Sequence, residues 1–203
     1  MSEKRDKLAI IRDAIKDGIR SIEVAGIAGS SLAYLLSQIL AELERPCLIV
    51  LPNSEEARGF YGDLDFFLPH HGDKRVCLFP SYDISPLMGL SPPRELISQR
   101  IEALYSLSTL TDPAVVTSLD ALLMRILPKE MLLKSVDYIA INEDIDRDEL
   151  IRKLLTLGYF RTSLVEETGD FSVRGGVIDL YPPLCDSPVR VELWGDTVES
   201  IRL

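Results

Sequence analysis

Residues 169–196 read GDFSVRGGVIDLYPPLCDSPVRVELWGD, and the structure expected for the second half of the chain follows from them. It contains two runs rich in β-branched and aromatic residues, separated by a proline-rich loop. Gly195 and Asp196 end the second run, and a Gly-x pair between alternating segments indicates a type II′ hairpin. Residues 197–203 are therefore predicted to form the returning strand.

The second run alternates strictly, which assigns its two faces. Val191 and Leu193 fall on one face, which is predicted to be core. Arg190, Glu192 and Trp194 fall on the other face, where a guanidinium and an indole can both reach water. Trp194 is the only tryptophan of the chain. A half-buried tryptophan stacked by arginine and a binding surface are both compatible with this placement.

Two adjacent glycines, Gly175 and Gly176, interrupt the first run. Strict alternation across them places Phe171 and Ile178 on opposite faces of one strand, although both residues are apolar. A β-bulge at the glycines resolves this conflict and re-aims the neighbouring side chains. Arg174 is then predicted to project outward. Its pairing with a nearby carboxylate at the start of the run is the alternative.

Composition limits the classes of function. The chain has 203 residues, 46% of them hydrophobic, and a formal net charge of -10 that is negative on both sides of Pro128. This charge argues against a dominant nucleic-acid surface. No run approaches the ~20 apolar residues that cross a bilayer, and no secretory signal is recognisable, so a cytoplasmic location is expected. The cysteines fit neither a disulfide framework nor zinc spacing: Cys47, Cys77 and Cys185.

The first part of the chain alternates short apolar runs with amphipathic segments. This pattern, without period-2 alternation in the runs, predicts an α/β domain with a parallel sheet over residues 1–127. Its strands are expected at residues 21–25, 47–51, 76–79 and 114–117. A helix is expected at residues 119–127, and Pro128 is the predicted boundary.

Helix starts are marked by capping residues. Asn53 with Glu56 and Asp146 with Glu149 have the spacing of capping boxes. Ser91, which precedes a proline, is predicted to be a further N-cap.

Residues 128–203 differ from the first part. Strands are expected at residues 136–141 and 160–165, with the helix from residue 146 between them. Together with the hairpins after residue 169, they predict an α+β domain in which one helix packs on a small antiparallel sheet.

The stretch GIAGSSLA at residues 26–33 stands where a phosphate-binding loop would stand. Gly26 and Gly29 are present, but Ser31 replaces the last glycine of such a loop. Leu32 replaces the lysine that binds phosphate, and Ala33 replaces the threonine that binds magnesium. Nucleotide hydrolysis is therefore not expected here.

Other polar clusters have simpler explanations. His70 and His71 are adjacent, so their side chains point apart and no metal set completes them. The carboxylates from Asp144 to Glu149 resemble a calcium loop but lack its glycine, and a helix start explains them. No catalytic residue, metal site or cofactor is predicted.

With these residues assembled, the chain resembles the N-terminal region of bacterial transcription-repair coupling factors, which itself resembles the damage-recognition protein UvrB. The most specific motifs are GDFSVRGGVIDLYP at residues 169–182 and VRVELWGD at residues 189–196. FPSYD at residues 79–83 and the helix that follows PRE at residues 93–95 give further support. The resemblance covers nearly the whole chain.

The resemblance implies two units and one partner. Residues 1–127 would be the first half of a degenerate helicase-like domain, and residues 128–203 an inserted domain that docks UvrA. In that family, arginines and an aromatic residue of the sheet surface contact UvrA. The matching positions here are Arg174, Arg190 and Trp194, the last where relatives often carry phenylalanine. RNA polymerase and DNA would be reached only through other domains of the full-length protein.

Two departures from UvrB separate the rival hypotheses. The phosphate loop lacks its lysine and threonine, which disfavours a P-loop ATPase. The SYD motif at residues 81–83 runs almost directly into Ser85 and Pro86, which leaves no room for the DNA-clamping hairpin of UvrB. A protein-interaction module that recruits UvrA to stalled RNA polymerase is therefore preferred over an ATPase or a damage-binding clamp.

Overall fold

The computed structural model describes residues 7–68, 74–82, 89 and 91–203. In chain order the elements are α1 (Lys7–Lys16), α2 (Ser31–Leu40), β1 (Cys47–Leu51), α3 (Ser54–Phe67), β2 (Val76–Phe79), α4 (Arg94–Thr109), β3 (Ala114–Ser118), α5 (Leu119–Leu122), α6 (Lys129–Lys134), α7 (Arg147–Thr156), β4 (Phe160–Arg161), β5 (Asp170–Arg174), β6 (Val177–Leu180), β7 (Val189–Trp194) and β8 (Thr197–Arg202).

The chain divides into two compact units. The first comprises the residues up to Phe79 together with Thr109–Leu123, and the second comprises Pro80–Ser108 together with Met124–Leu203. Nearly all of α4 therefore groups with the second unit, although it precedes β3 in the sequence. The proposed domain boundary near residue 127 stays a prediction.

The first unit is built on a three-stranded parallel sheet in the order β1-β3-β2, which confirms the α/β prediction. β3 lies in the middle, and all of its residues are buried. The core joins this strand to α2 and α3 through Leu40, Leu64 and Val116. The predicted capping box of α3 is confirmed, because the side chain of Asn53 accepts a hydrogen bond from the Glu56 N–H at 2.9 Å.

Two predictions in the first unit are wrong. Residues 21–25 form no strand, and the side chains of Ile22 and Val24 are 38% and 45% exposed. A β-competent sequence becomes a strand only when a neighbour completes its ladder, and no described strand pairs with this segment. The helix predicted at residues 119–127 is the short α5, which stops at Leu122.

The second unit contains a five-stranded sheet in the order β4-β5-β6-β7-β8. β4 and β5 are parallel, whereas the other pairs are antiparallel. The sheet is therefore mixed, and the purely antiparallel prediction is wrong. The connection between β4 and β5 returns the chain to the end at which β4 begins, so β5 runs in the same direction as β4.

Other boundaries in the second unit also differ from prediction. Residues 136–141 form no strand, and α6 precedes them. The strand predicted at residues 160–165 is the two-residue β4. α4 begins at Arg94, three residues after the predicted N-cap Ser91.

α7 packs on one face of the mixed sheet, as predicted. The side chain of Asp146 caps this helix by accepting a hydrogen bond from the Glu149 N–H at 2.9 Å, which confirms the second capping box. The core beneath α7 contains the fully buried side chains of Phe171, Ile178 and Val198. The opposite face of the sheet carries most of its polar side chains.

No helix within the described residues is long and apolar enough to cross a membrane.

Candidate functional site

Gly175 and Gly176 are the turn of a β-hairpin between β5 and β6. Arg174 pairs with Val177 across this two-residue turn, and Gly175 has a left-handed φ of 60°. The predicted single bulged strand is therefore wrong. A turn restarts the alternation of faces, so the apolar residues of both strands reach the same core without a bulge.

The turn also packs tightly against β7. A Cβ atom on Gly176 would lie 2.6 Å from the carbonyl oxygen of Leu193. The carbonyl oxygen of Gly176 accepts a hydrogen bond from the Leu193 N–H at 2.7 Å. Glycine at this position therefore lets the tip of the hairpin approach β7.

The face of the mixed sheet opposite α7, here called the outer face, is organised in cross-strand rows. One row runs from Ser172 on β5 to Asp179 on β6, Arg190 on β7 and Arg202 on β8. Directly opposed side chains on one face are close enough to interact. The row therefore sets one carboxylate next to one guanidinium, and that guanidinium next to a second.

Arg190 is held by Asp179 in a two-point ion pair. Its Nε and Nη2 donate to Oδ1 and Oδ2 of Asp179 at 2.7 and 3.0 Å. The hydrogen bonds from Arg190 outweigh the effect of burial and keep the pKa of Asp179 below its usual value, with a further contribution from the charge of Arg174. The carboxylate of Asp179 is therefore ionised at neutral pH, and its two hydrogen bonds fix the orientation of the Arg190 guanidinium.

Arg174 is exposed at the end of β5 and is tied to the neighbouring loop. Its Nη2 donates to the carbonyl oxygen of Ser163 at 2.9 Å, and its Nε lies 3.4 Å from Oγ of Ser172. The alternative pairing of Arg174 with Asp170 does not occur, because Asp170 binds Arg94. Arg174 does project outward as predicted, although a turn places it there.

Trp194 ends β7 on the outer face, and 80% of its surface is exposed. Among the described residues, guanidiniums lie over the rings of Phe160 and Tyr82 but not over Trp194. The interpretation of a half-buried tryptophan stacked by arginine is therefore wrong. Gly195, with a φ of 65°, turns the chain directly after it and confirms the predicted hairpin.

The two arginines share one surface depression, whereas Trp194 does not line it. Arg174, Asp179 and Arg190 lie in this depression. Trp194 is four residues beyond Arg190 on the same face, which corresponds to about 13 Å along the strand. The outer face thus presents a charged depression and a separate exposed indole.

Sequence reasoning missed two residues of this face, Asp179 and Arg202. Asp179 holds Arg190, and Arg202 donates to Oε2 of Glu192 at 2.6 Å. The strict alternation of β7 indicated Glu192, but the two partners depend on how the strands pair. The register shift between Glu192 and Leu193 was also not predicted.

The start of β5 is anchored by Asp170, whose side chain is nearly buried. Its carboxylate binds Nη1 of Arg94 at 2.5 Å and accepts the backbone N–H groups of Glu167 and Glu166. Burial alone would raise the pKa of Asp170, but these hydrogen bonds together with the charge of Arg94 lower it below its usual value. Arg94 also stacks on the ring of Phe160, 4.1 Å from its centroid.

The Asp170 anchor predicts a pH-dependent stability. Because the pKa of Asp170 is lower in the folded chain than in the unfolded chain, its contribution is complete above about pH 4 and is lost as the pH falls through the folded value. Replacing Asp170 by asparagine is expected to lower the free energy of unfolding by about 1–3 kcal/mol at pH 7 and by less at pH 3. Urea unfolding at both pH values measures this difference, with the exposed Asp186→Asn as control. An equal cost at both pH values would contradict the role given to the charge.

The glycine-rich turn before α2 carries Leu32 and Ala33 at the positions where a phosphate loop carries lysine and threonine. Gly26 and Gly29 have left-handed φ values of 81° and 57°. Ser31 is occupied by Ala28, since its Oγ donates to the Ala28 carbonyl at 2.5 Å and accepts from the Ala28 N–H. The side chain of Leu32 is partly exposed, and Ala33 is fully buried in the core.

Within the described part of the chain, no cluster of histidine, cysteine and carboxylate side chains could hold a metal ion. His70 and His71 lie outside the described residues, as does the segment after Tyr82 in which the absence of a DNA-clamping hairpin was predicted.

Similarity to known proteins covers nearly the whole chain. Residues 138–203 match the family model of the UvrB interaction domain. The chain is 36% identical over 198 residues to the transcription-repair-coupling factor of Myxococcus xanthus, covering 96% of this chain and 16% of that protein. It is 31% identical over 201 residues to the same factor of Bacillus subtilis, covering 98% of this chain and 17% of that protein.

A second group of relatives has a different name. The chain is 28% identical over 204 residues to UvrABC system protein B of Thermotoga maritima, with 94% of this chain and 30% of that protein covered. The chain thus spans about a sixth of the length of the coupling factors that it matches.

Proposed function

Because the chain belongs to the UvrB-like N-terminal region of bacterial transcription-repair coupling factors, we propose that its second unit is a docking module for UvrA. The full-length protein would use this module to recruit UvrA to stalled RNA polymerase during nucleotide excision repair. RNA polymerase and DNA would be bound by other parts of that protein, in the cytoplasm.

The exposed Trp194 is the observation that carries this proposal. A tryptophan that is 80% exposed on a sheet surface offers nearly all of its large apolar area to a partner. Arg174 and Arg190 lie on the same outer face, and arginine and tryptophan dominate the energetics of protein interfaces. All three residues fall inside the segment 138–203 that matches the UvrB interaction domain.

The first unit is proposed to be a degenerate helicase-like domain that does not hydrolyse ATP. Leu32 cannot neutralise phosphate, and Ala33 has no hydroxyl for magnesium. By the family resemblance, this domain would cover residues 1–127. Binding of ATP with magnesium at micromolar concentration would contradict this part of the proposal and revive the ATPase alternative.

Arg174→Ala and Arg190→Ala test the charged part of the surface. Each substitution is expected to weaken UvrA binding by about 1–2 kcal/mol, because each removes a guanidinium from the interface. Titration calorimetry of the chain with UvrA at fixed ionic strength measures this. Arg20→Ala, which removes an exposed arginine of the first unit, is the matched control and should bind normally.

Unchanged affinity in both variants would remove the two arginines from the site. Steep salt-dependent binding to damaged duplex DNA would instead favour the UvrB-like clamp.

A further inference from the structure

We propose that Asp179 is a positioning residue of the docking surface, which holds Arg190 in the orientation that the partner meets. This inference rests on the proposed function, since it concerns the same outer face. Asp179 is not expected to touch the partner itself.

The difference in exposure between Asp179 and Arg190 indicates that Asp179 acts by holding Arg190. The side chain of Asp179 is 15% exposed, whereas that of Arg190 is 51% exposed. Asp179 lies between Ser172 and Arg190 in the cross-strand row, and both of its oxygens accept from Arg190. The carboxylate therefore faces the sheet and its neighbour, while the guanidinium keeps a free edge toward solvent.

The register opposite Arg202 explains why Arg190 needs a fixed partner. Arg190 stands directly opposite Arg202 on β8, and opposed like charges destabilise a strand pair. The structure separates them by drawing each toward a different carboxylate. Arg190 turns to Asp179 on β6, and Arg202 turns to Glu192.

Glu192 is already engaged in the structure. Its Oε2 accepts from Arg202 at 2.6 Å and from Oγ of Ser200 at 2.8 Å. Without the charge of Asp179, the carboxylate that still acts on Arg190 is that of Glu192, two residues away on the same strand. Arg190 and Arg202 would then compete for it, and the position of both guanidiniums would change.

Asp179 also bears on Arg174, because the positive charge of Arg174 contributes to keeping that carboxylate ionised. One carboxylate thus lies among the guanidiniums of the depression. A surface whose arginines are fixed before binding loses less side-chain freedom when the complex forms. Asp179 is therefore expected to raise affinity through Arg190, without a contact of its own.

The test is a double-mutant cycle with UvrA as the titrant. Asp179→Asn keeps the size of the side chain and removes its charge, and it is expected to weaken binding about 3- to 10-fold. The double variant with Arg190→Ala should bind no more weakly than Arg190→Ala alone, because the effect of Asp179 passes through Arg190. Asp186→Asn, an exposed carboxylate of the loop before β7, should bind like the unmodified chain.

Thermal unfolding of each variant separates loss of binding from loss of folding. If Asp179→Asn lowers the melting temperature, Asp179→Glu supplies the second variant, since restored charge should recover part of the affinity. Tighter or unchanged binding of a folded Asp179→Asn would overturn the proposal, as would additive losses in the double variant.

Failure of the docking surface and failure of the positioning role can be distinguished by comparing three variants. Trp194→Ala and Arg190→Ala that both bind normally would overturn the docking surface, and with it the role of Asp179. Weakened binding in those two variants together with normal binding of Asp179→Asn would overturn the positioning role alone.

Discussion

Replacing Trp194 by alanine is expected to weaken UvrA binding by about 30-fold or more, which corresponds to about 2 kcal/mol. The indole is 80% exposed in the free chain, so nearly all of its apolar surface is available for burial in a complex. Its removal from the free chain opens no cavity, because little of it is packed. The loss should therefore appear in binding and not in stability.

Titration calorimetry and thermal unfolding together check this expectation. Trp194→Phe should retain much of the affinity, since it keeps an aromatic face at the end of β7. Tyr138→Ala is the control, because Tyr138 is 79% exposed in the same unit but lies outside the sheet. Normal affinity of Trp194→Ala, or an equal loss in Tyr138→Ala, would mean that the indole is not a specific anchor.

Replacing Gly176 by alanine is expected to destabilise the second unit by about 3 kcal/mol. The added Cβ would lie 2.6 Å from the Leu193 carbonyl oxygen, a backbone atom that cannot turn aside. Relief would require the turn to move away from β7, which breaks the hydrogen bond from the Leu193 N–H to the Gly176 carbonyl. Urea unfolding of Gly176→Ala, with Gly175→Asn as the control, measures this loss of stability.

Gly175→Asn is the control for Gly176→Ala. Gly175 has a left-handed φ of 60° and open space where a Cβ would stand, and asparagine tolerates that conformation. Its cost should therefore be much smaller than that of the Gly176 substitution. Equal costs at the two positions would show that turn conformation, and not contact with β7, requires the glycine pair.

The faces of β7 could be predicted from the sequence because alternation within one strand is a local property. Val191 and Leu193 are buried and Trp194 is exposed, as the alternation predicts. The hairpin at Gly195 was also predictable, since its turn residues are adjacent in the sequence. Capping of α3 and α7 followed the same local rule, with residue pairs three positions apart.

The interpretation of Gly175 and Gly176 failed because alternation was carried across a reversal of the chain. A glycine pair suits both a bulge and a two-residue turn, and either one brings Ile178 to the face that carries Phe171. The demand that all apolar residues reach one core is met by either choice. Only the pairing of Arg174 with Val177 distinguishes them.

The remaining features depend on partners distant in sequence. The ion pair between Asp179 and Arg190 needs the register of β6 against β7, which the intervening loop determines. Residues 21–25 have strand-forming composition, but a strand also needs a neighbour at its edge. Propensity alone therefore overstated the sheet of the first unit.

The central place of β3 in the first sheet has a consequence for synthesis of the chain. Among the described strands, β1 and β2 each pair with β3 and not with each other, so neither gains its partner until Ser118 has left the ribosome. At ~5–20 residues per second, the nascent chain carries two apolar strands with open edges for several seconds. During translation the sheet of this unit therefore forms late, and until β3 emerges its unpaired apolar strands are exposed to aggregation or to chaperones.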